Sequence, residues 1–231
     1  MSTVPALTPP TLVFDLDGTL VDTAPDLVRA LNAVLTSEGL APVALETALG
    51  MVGNGGRVLI QTAFVADGRP LGAADLDRLT AVFTNHYAAH IADDSRAYAG
   101  VEAALDRFAA AGWLLAVCTN KFESLARPLL ETLGLARRFA AIVGQGTLEW
   151  RKPDPRTLTE TIRLAGGTPE RAVMVGDSRV DIETARAAGV PVVAVTFGYS
   201  AVPVTEFGPD RLIRDFDSLW DAVESLGIAS P

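Results

Sequence analysis

The chain is poor in cysteine: Cys118 is its only one. That excludes an intrachain disulfide, and its place inside an apolar run reads as a core residue in a reducing compartment. Positive charge is also short. Nineteen lysines and arginines face 28 aspartates and glutamates, a formal net charge of −9, which argues against nucleic acid or an anionic membrane as partner and suits a cation site. No apolar run reaches membrane-spanning length. Met1 to Pro10 lacks the basic start and continuous apolar centre of a secretory signal. A soluble, cytoplasmic protein is therefore expected. No internal repeat or low-complexity tract interrupts the chain. Gly53-Asn54-Gly55-Gly56 is not a dinucleotide fingerprint, because no strand precedes it and the glycine spacing fails. His86 and His90 stand at zinc-ligand spacing on a helical stretch, but no third ligand or His-Glu-x-x-His string accompanies them, so helix packing is the expected role.

What is present is an interior: 49% of the residues are hydrophobic, ample for a packed core. Leu12 to Phe14 reads as a buried strand that ends abruptly in Asp15, Asp17, Gly18 and Thr19. The spacing then predicts helices from Leu27 to Leu35, from Gly56 to Val65 and from Ala74 to Ile91, with no strand between Asp22 and Asp94. From Val101 onward helices and strands alternate. Helices are expected over Val101 to Ala111, Phe122 to Leu133, Arg156 to Ala165, Val180 to Ala188 and Phe216 to Leu226. Strands are expected over Trp113 to Cys118, Ala140 to Val143, Ala172 to Val175, Pro191 to Thr196 and, at an edge, Arg211 to Ile213. Alternation of this kind predicts a doubly wound α/β fold with a parallel sheet. The all-helical block reads as an inserted cap, giving residues 1–21 and 96–231 as the core domain and 22–95 as the cap.

Polar residues follow several of these strands. Crowding Asp15 and Asp17 at one turn favours either a proton or a metal ion between carboxylates. A plainer alternative is an acidic loop capping the next helix, since Thr23 and Asp26 have capping-box spacing. Further along, Thr119 and Asn120, then Lys152 in a proline-framed loop, then Asp177 and Asp181 can meet Asp15 and Asp17 at one sheet edge. For Asp181 capping is again an alternative, with Ser178 at the matching position.

In order, these four clusters resemble the four motifs of the haloacid dehalogenase superfamily, most of whose members are magnesium-dependent phosphatases. The resemblance spans about residues 11–200. It implies a Rossmann-like doubly wound core with an inserted α-helical cap, and a bound Mg2+. By the same resemblance Asp15 is the nucleophile that forms an aspartyl phosphate. Asp17 protonates the leaving alcohol and then activates water, and its backbone carbonyl joins Asp15 and Asp177 around the metal. Asp181 acts from behind the ligands, Thr119 hydrogen-bonds a phosphoryl oxygen, and Lys152 offsets the clustered negative charge. Thr19 and Asn120 are expected to contact substrate.

The substrate is expected to be a small phosphorylated metabolite. Met51 to Arg57 looks like the Val-Gly-x-Gly loop of phosphoglycolate phosphatases, with Gly53, Asn54 and Gly55 allowing close backbone approach and Arg57 able to meet a carboxylate. A helix-connecting turn with a solvated arginine is the alternative. Thr119-Asn120-Lys121 and Phe197-Gly198-Tyr199 also match that group, while Phe122 replaces its proline. Sugar-phosphate phosphatase or mutase chemistry stays open, as does a binding module that has kept the fold. A dehalogenase would lack Asp17. Whether the chain is a monomer or a homodimer is not decided by sequence.

Overall fold

The computed structural model describes residues 8–53 and 55–228. In chain order its elements are β1 (Thr11–Phe14), β2 (Val21–Asp22), α1 (Ala24–Ser37), α2 (Leu45–Ala48), α3 (Gly56–Ala66), α4 (Ala73–Ala89), β3 (Arg96–Ala97), α5 (Val101–Ala110), β4 (Leu114–Phe122) and α6 (Glu123–Thr132). There follow β5 (Ala141–Gln145), α7 (Pro155–Ala165), β6 (Ala172–Gly176), α8 (Arg179–Ala188), β7 (Val192–Val195), β8 (Arg211–Ile213) and α9 (Leu219–Glu224).

β1 is buried at every position because it is central and covered on both faces. It pairs in parallel with β4, Thr11 to Phe14 against Leu114 to Val117, and with β6, against Ala172 to Val175. The whole sheet is parallel in the order β5-β4-β1-β6-β7-β8. Chain order therefore reverses at β1, which makes the C-terminal ends of β1, β4 and β6 the place for a site. Alternation along β1 splits the core in two. Leu12 and Phe14 join α5, α6 and α9, through residues such as Leu105, Leu129 and Leu219. Val13 joins α7 and α8 through Leu158, Ile162 and Ile182, with Cys118 buried in the same layer.

The helices between β2 and β3 build a third core of their own. Leu31 and Val34 of α1, Leu59 and Phe64 of α3, and Leu79, Phe83 and Tyr87 of α4 pack together, and among the described residues only Leu125 and Tyr199 enter that buried cluster from elsewhere. β2 and β3 run antiparallel, Val21 opposite Ala97 and Asp22 opposite Arg96, so the insertion leaves and rejoins the sheet through a two-stranded ribbon.

Most elements fall within a few residues of expectation, and three differences have a clear physical reason. β4 continues through the polar triplet to Phe122, since Phe122 still pairs with Gln145 beyond a register irregularity after Cys118. α7 starts at Pro155, where a missing N–H leaves no intrahelical bond unmade, and Asp154 accepts from Arg156 N at 3.0 Å as its cap. α2 has only four residues, too few for a periodic signal. The capping-box reading of Thr23 and Asp26 is not what forms. Thr23 makes no side-chain cap bond. The Tyr199 hydroxyl instead accepts from Thr23 N and Ala24 N at 2.6 and 2.9 Å, and donates to Asp22 Oδ1 at 2.6 Å.

Asp26 is fully committed elsewhere. Its carboxylate, 1% exposed, accepts from Ser95 N at 2.7 Å, Ser95 Oγ at 2.6 Å and Asp94 N at 3.1 Å, which ties α1 to the strand that returns to the core. Asp26→Ala leaves buried donors unpaired and should lower unfolding free energy by about 3 kcal/mol. Urea denaturation with an unchanged m-value measures this; a loss below about 0.5 kcal/mol, the range of an ordinary surface change, would mean that the join is held by something else.

Candidate active site

β1 delivers the first acid pair. The Asp15 amide donates to Val175 O at 2.9 Å, which fixes it beside the end of β6, and the chain then turns at Gly18, whose φ is 79°. Lys152 reaches in from the loop before α7. Its Nζ lies 2.9 Å from Asp15 Oδ1 and 2.6 Å from Asp181 Oδ1. Asp181 also closes a capping box with Ser178 at the start of α8. Capping and charge pairing are thus both present, one on each side of the same carboxylate.

Asp177 follows β6. Its Oδ1 accepts from Thr19 Oγ1 at 3.1 Å and its Oδ2 from the Tyr199 amide at 2.8 Å. Two glycines make room for it: a Cβ on Gly18 or on Gly198 would overlap the Asp177 carboxyl group. Asp17 has a separate set of partners. Its Oδ1 accepts from Thr23 Oγ1 at 2.8 Å and Lys121 Nζ at 3.0 Å, and the same ammonium lies 3.2 Å from Oδ2. Asp15 and Asp17, two residues apart, are held by different cations.

Ligand atoms of Asp15, Asp177 and Asp181 lie within 4.8 Å of one another. Three carboxylates and one ammonium leave this corner negative. Burial pushes the Asp15 carboxyl up to about 6, against the pull of Lys152 and with help from Asp181. Burial, followed by the charges of Asp181 and Asp15, pushes Asp177 up to about 8. Asp15 Oδ1, although close to Lys152, is buried without a hydrogen bond. An all-oxygen, electron-rich donor set with an unsatisfied lone pair fits a hard divalent cation.

A cavity of about 370 Å³ opens over this corner. Asp15, Asp17, Thr119, Asn120 and Lys152 line it from the sheet side, and Gly53, Gly55 and Arg57 from the helical insertion. Thr119 Oγ1 accepts from Lys121 N at 3.2 Å, and Asn120 Nδ2 donates to Lys152 O at 3.0 Å, leaving the Asn120 Oδ1 buried and unpaired. Thr19 is not on the cavity wall; its hydroxyl is spent on Asp177. Asn54 lies outside the described residues. The Arg57 guanidinium pairs with Asp77, with its side chain half exposed. The His86 and His90 rings lie 4.8 Å apart, tilted by 36°, and His90 Nδ1 pairs with Asp93 Oδ2 at 2.8 Å.

Residue-by-residue sequence reading overlooked Lys121, Tyr87 and Tyr199. Lys121 and Tyr199 sit inside quoted tripeptides, but nothing in a strand pattern tells that Lys121 turns back onto Asp17. Tyr87 occupies an apolar helical position that reads as plain core.

A model of the haloacid dehalogenase-like hydrolases matches residues 12–195. The chain is 55% identical over 210 residues to a phosphoglycolate phosphatase of Mesorhizobium japonicum, covering 91% of this chain and 92% of the relative. It is 50% identical over 214 residues to one of Agrobacterium fabrum, at 93% and 92% coverage. A crystal structure described as a "predicted phosphoglycolate phosphatase" from Haemophilus somnus superposes with a TM-score of 0.86 at 30% identity, covering 93% of this chain and 97% of that one.

The raised carboxyls have a consequence for stability. An acid whose folded pKa lies above its unfolded value destabilises the fold as pH climbs from the ordinary aspartate range through the folded value. For Asp15 and Asp177 that window runs from near 3.8 to about 8. A divalent cation removes the penalty only where the carboxylates are ionised, so adding Mg2+ should raise Tm more at about pH 8 than at about pH 5.5. Equal gains at both pH values in a thermal melt would mean that these acids are not the ligands.

Proposed function

The chain belongs to the haloacid dehalogenase-like hydrolases, and within that family we propose that it is a magnesium-dependent phosphomonoester hydrolase acting on 2-phosphoglycolate through an aspartyl phosphate. The observation that carries this reading is the division of labour in the acid pair. Asp15 is held by Lys152 and Asp17 by Lys121, while both face one cavity. Two carboxylates with separate partners can take separate roles, one as nucleophile and one as proton carrier.

In this account an Asp15 oxygen attacks phosphorus as the bond to the leaving oxygen breaks, and Asp17 hands its proton to that oxygen. Asp17 then takes a proton from water, which attacks the acyl phosphate and returns Asp15 as a carboxylate. Thr119 and Asn120 orient the phosphoryl oxygens from the end of β4. Lys152 stays between Asp15 and Asp181 and balances the charge that gathers on the transferred group. Asp15, Asp177 and the main-chain carbonyl of Asp17 would hold Mg2+, whose contribution is to neutralise the phosphate dianion. Asp181 supports the corner from behind.

Residues 22–95 act as a cap over residues 1–21 and 96–231. The separate core of the insertion and its single ribbon connection support that division. Val21 to Ala24 and Ser95 to Gly100 would serve as hinges, so that closure excludes water and opening releases product. Gly53, Gly55 and Arg57 then cover the leaving group, and the names of the Mesorhizobium and Agrobacterium relatives support 2-phosphoglycolate as substrate. Among the described residues no helix is long and apolar enough to cross a membrane; a cytoplasmic place remains part of the proposal.

Phosphate release from a panel of phosphomonoesters, with and without Mg2+, tests this. The account predicts Mg2+-dependent release, with kcat/KM for 2-phosphoglycolate above that for hexose and triose phosphates by at least about tenfold. Broad or sugar-phosphate turnover would remove the substrate assignment. An isomerised sugar phosphate without free phosphate would make the protein a mutase.

A further inference from the structure

Lys121 is a charged side chain that the chemistry above uses only as a prop for Asp17. Its side chain is 4% exposed. It leaves β4 toward the cavity, meets both Asp17 oxygens, and lies 4.4 Å from the centre of the Tyr87 ring on α4. The Tyr87 hydroxyl is buried beside that ammonium, and among the described residues its O–H has no acceptor. An ammonium and an unused hydroxyl donor therefore come together where the insertion meets the sheet edge.

Resting on 2-phosphoglycolate as substrate, we propose that Lys121, backed by Tyr87, is the residue that recognises the substrate carboxylate. The argument is one of reach. In 2-phosphoglycolate the carboxylate sits on the carbon that bears the leaving oxygen. Asp17 must contact that oxygen, and Lys121 contacts Asp17, so the ammonium lies within two hydrogen-bond lengths, about 6 Å, of the leaving oxygen. The carboxylate has to come to rest in that neighbourhood. Without a cation beside it, the carboxylate would be left uncompensated in a poorly hydrated pocket. Lys121 has three N–H donors and can yield its longer contact, 3.2 Å to Asp17 Oδ2, to a second carboxylate while keeping the 3.0 Å contact to Oδ1.

The other cations on the cavity wall, Lys152, Arg57 and the exposed Arg151, are less suited. Lys152 is engaged with Asp15 and Asp181 on the phosphoryl side. Arg57 is paired with Asp77 at the half-exposed mouth. Lys121 is the buried cation on the leaving-group side, where an ion pair with substrate is least screened by water.

The test compares kcat/KM for 2-phosphoglycolate with that for 2-hydroxyethyl phosphate, which replaces the carboxylate by a hydroxymethyl group. Disturbing Asp17 lowers both substrates together, so the ratio isolates carboxylate recognition. The wild-type protein should prefer 2-phosphoglycolate, and Lys121→Met should shrink that preference by at least about tenfold, the scale of one charge-assisted hydrogen bond, mainly through KM. Lys121→Arg should restore part of it. Tyr87→Phe, which keeps the ring and removes only the hydroxyl, should shrink the ratio by a smaller factor and covers the case in which Lys121→Met does not fold. An unchanged ratio in folded Lys121→Met, or in Tyr87→Phe should the lysine variant not fold, overturns the proposal and leaves the substrate assignment standing. So does collapse of the ratio in Arg57→Ala while Lys121→Met retains it. A wild-type protein that turns over neither compound would instead sink the substrate assignment, and the proposal with it.

Discussion

The structure depends on one buried ammonium. Lys152 lies between Asp15 and Asp181 at a corner that also holds Asp177, where burial makes each uncompensated charge costly. Without it three carboxylates would face one another with no protein cation, and the least unfavourable outcome would be protonation of these acids, Asp177 foremost, whose carboxyl is already pushed up furthest by burial and its acidic neighbours. The remaining negative excess is what the corner offers to a divalent ion. Charge balance at this point lets the acids stay close, and the second acid, Asp17, has a lysine of its own.

Backbone constraints keep that balance in place. The sheet order puts β1 between β4 and β6, so three strand ends meet where chain direction across the sheet reverses. Asp15 is locked to β6 through Val175 O, and Asp177 is clasped by Thr19 and the Tyr199 amide within a space that Gly18 and Gly198 leave open. Tyr199 carries the constraint further, because its hydroxyl receives the first two amides at the start of α1. One residue thus touches both a carboxylate of the acid cluster and the root of the helical insertion, a mechanical link between the chemistry and the part proposed to move.

Much of this was legible in the sequence, for a physical reason. Central parallel strands need unbroken apolar runs, and Leu12 to Phe14 and Ala172 to Val175 can hardly be anything else; the acids that follow them then fall at one edge. Asp15, Asp17, Asp177 and Asp181 were placed together that way, Thr119 by the strand before it and Lys152 by its proline-framed loop, while their roles came from the resemblance to the four motifs. Less legible were contacts that depend on side-chain direction. Thr19 turned from the cavity to Asp177, Arg57 found Asp77, and Lys121 folded back to Asp17 across more than a hundred residues of chain. Strand spacing places a residue on the sheet edge but not its terminal atoms, and the irregularity at the end of β4 breaks the alternation that would have been the only guide. The helix-capping alternative for Thr23 is not realised, because a tertiary donor and acceptor, the Tyr199 hydroxyl, takes the place of the local one.

The account stands on Asp15 as nucleophile, and the most direct measurement is to look for phosphate on it. With p-nitrophenyl phosphate, whose leaving group departs without a proton, Asp17→Asn should leave formation of the acyl phosphate largely intact and slow its hydrolysis by removing the base, so that acid quenching during turnover traps a phosphoryl group, located by peptide mass spectrometry. The predicted result is label on the peptide carrying Asp15, and none when Asp15→Asn is added. Phosphate release with no label at any quench time, together with substantial turnover by folded Asp15→Asn, would contradict covalent catalysis and leave the acid cluster as a cation site alone.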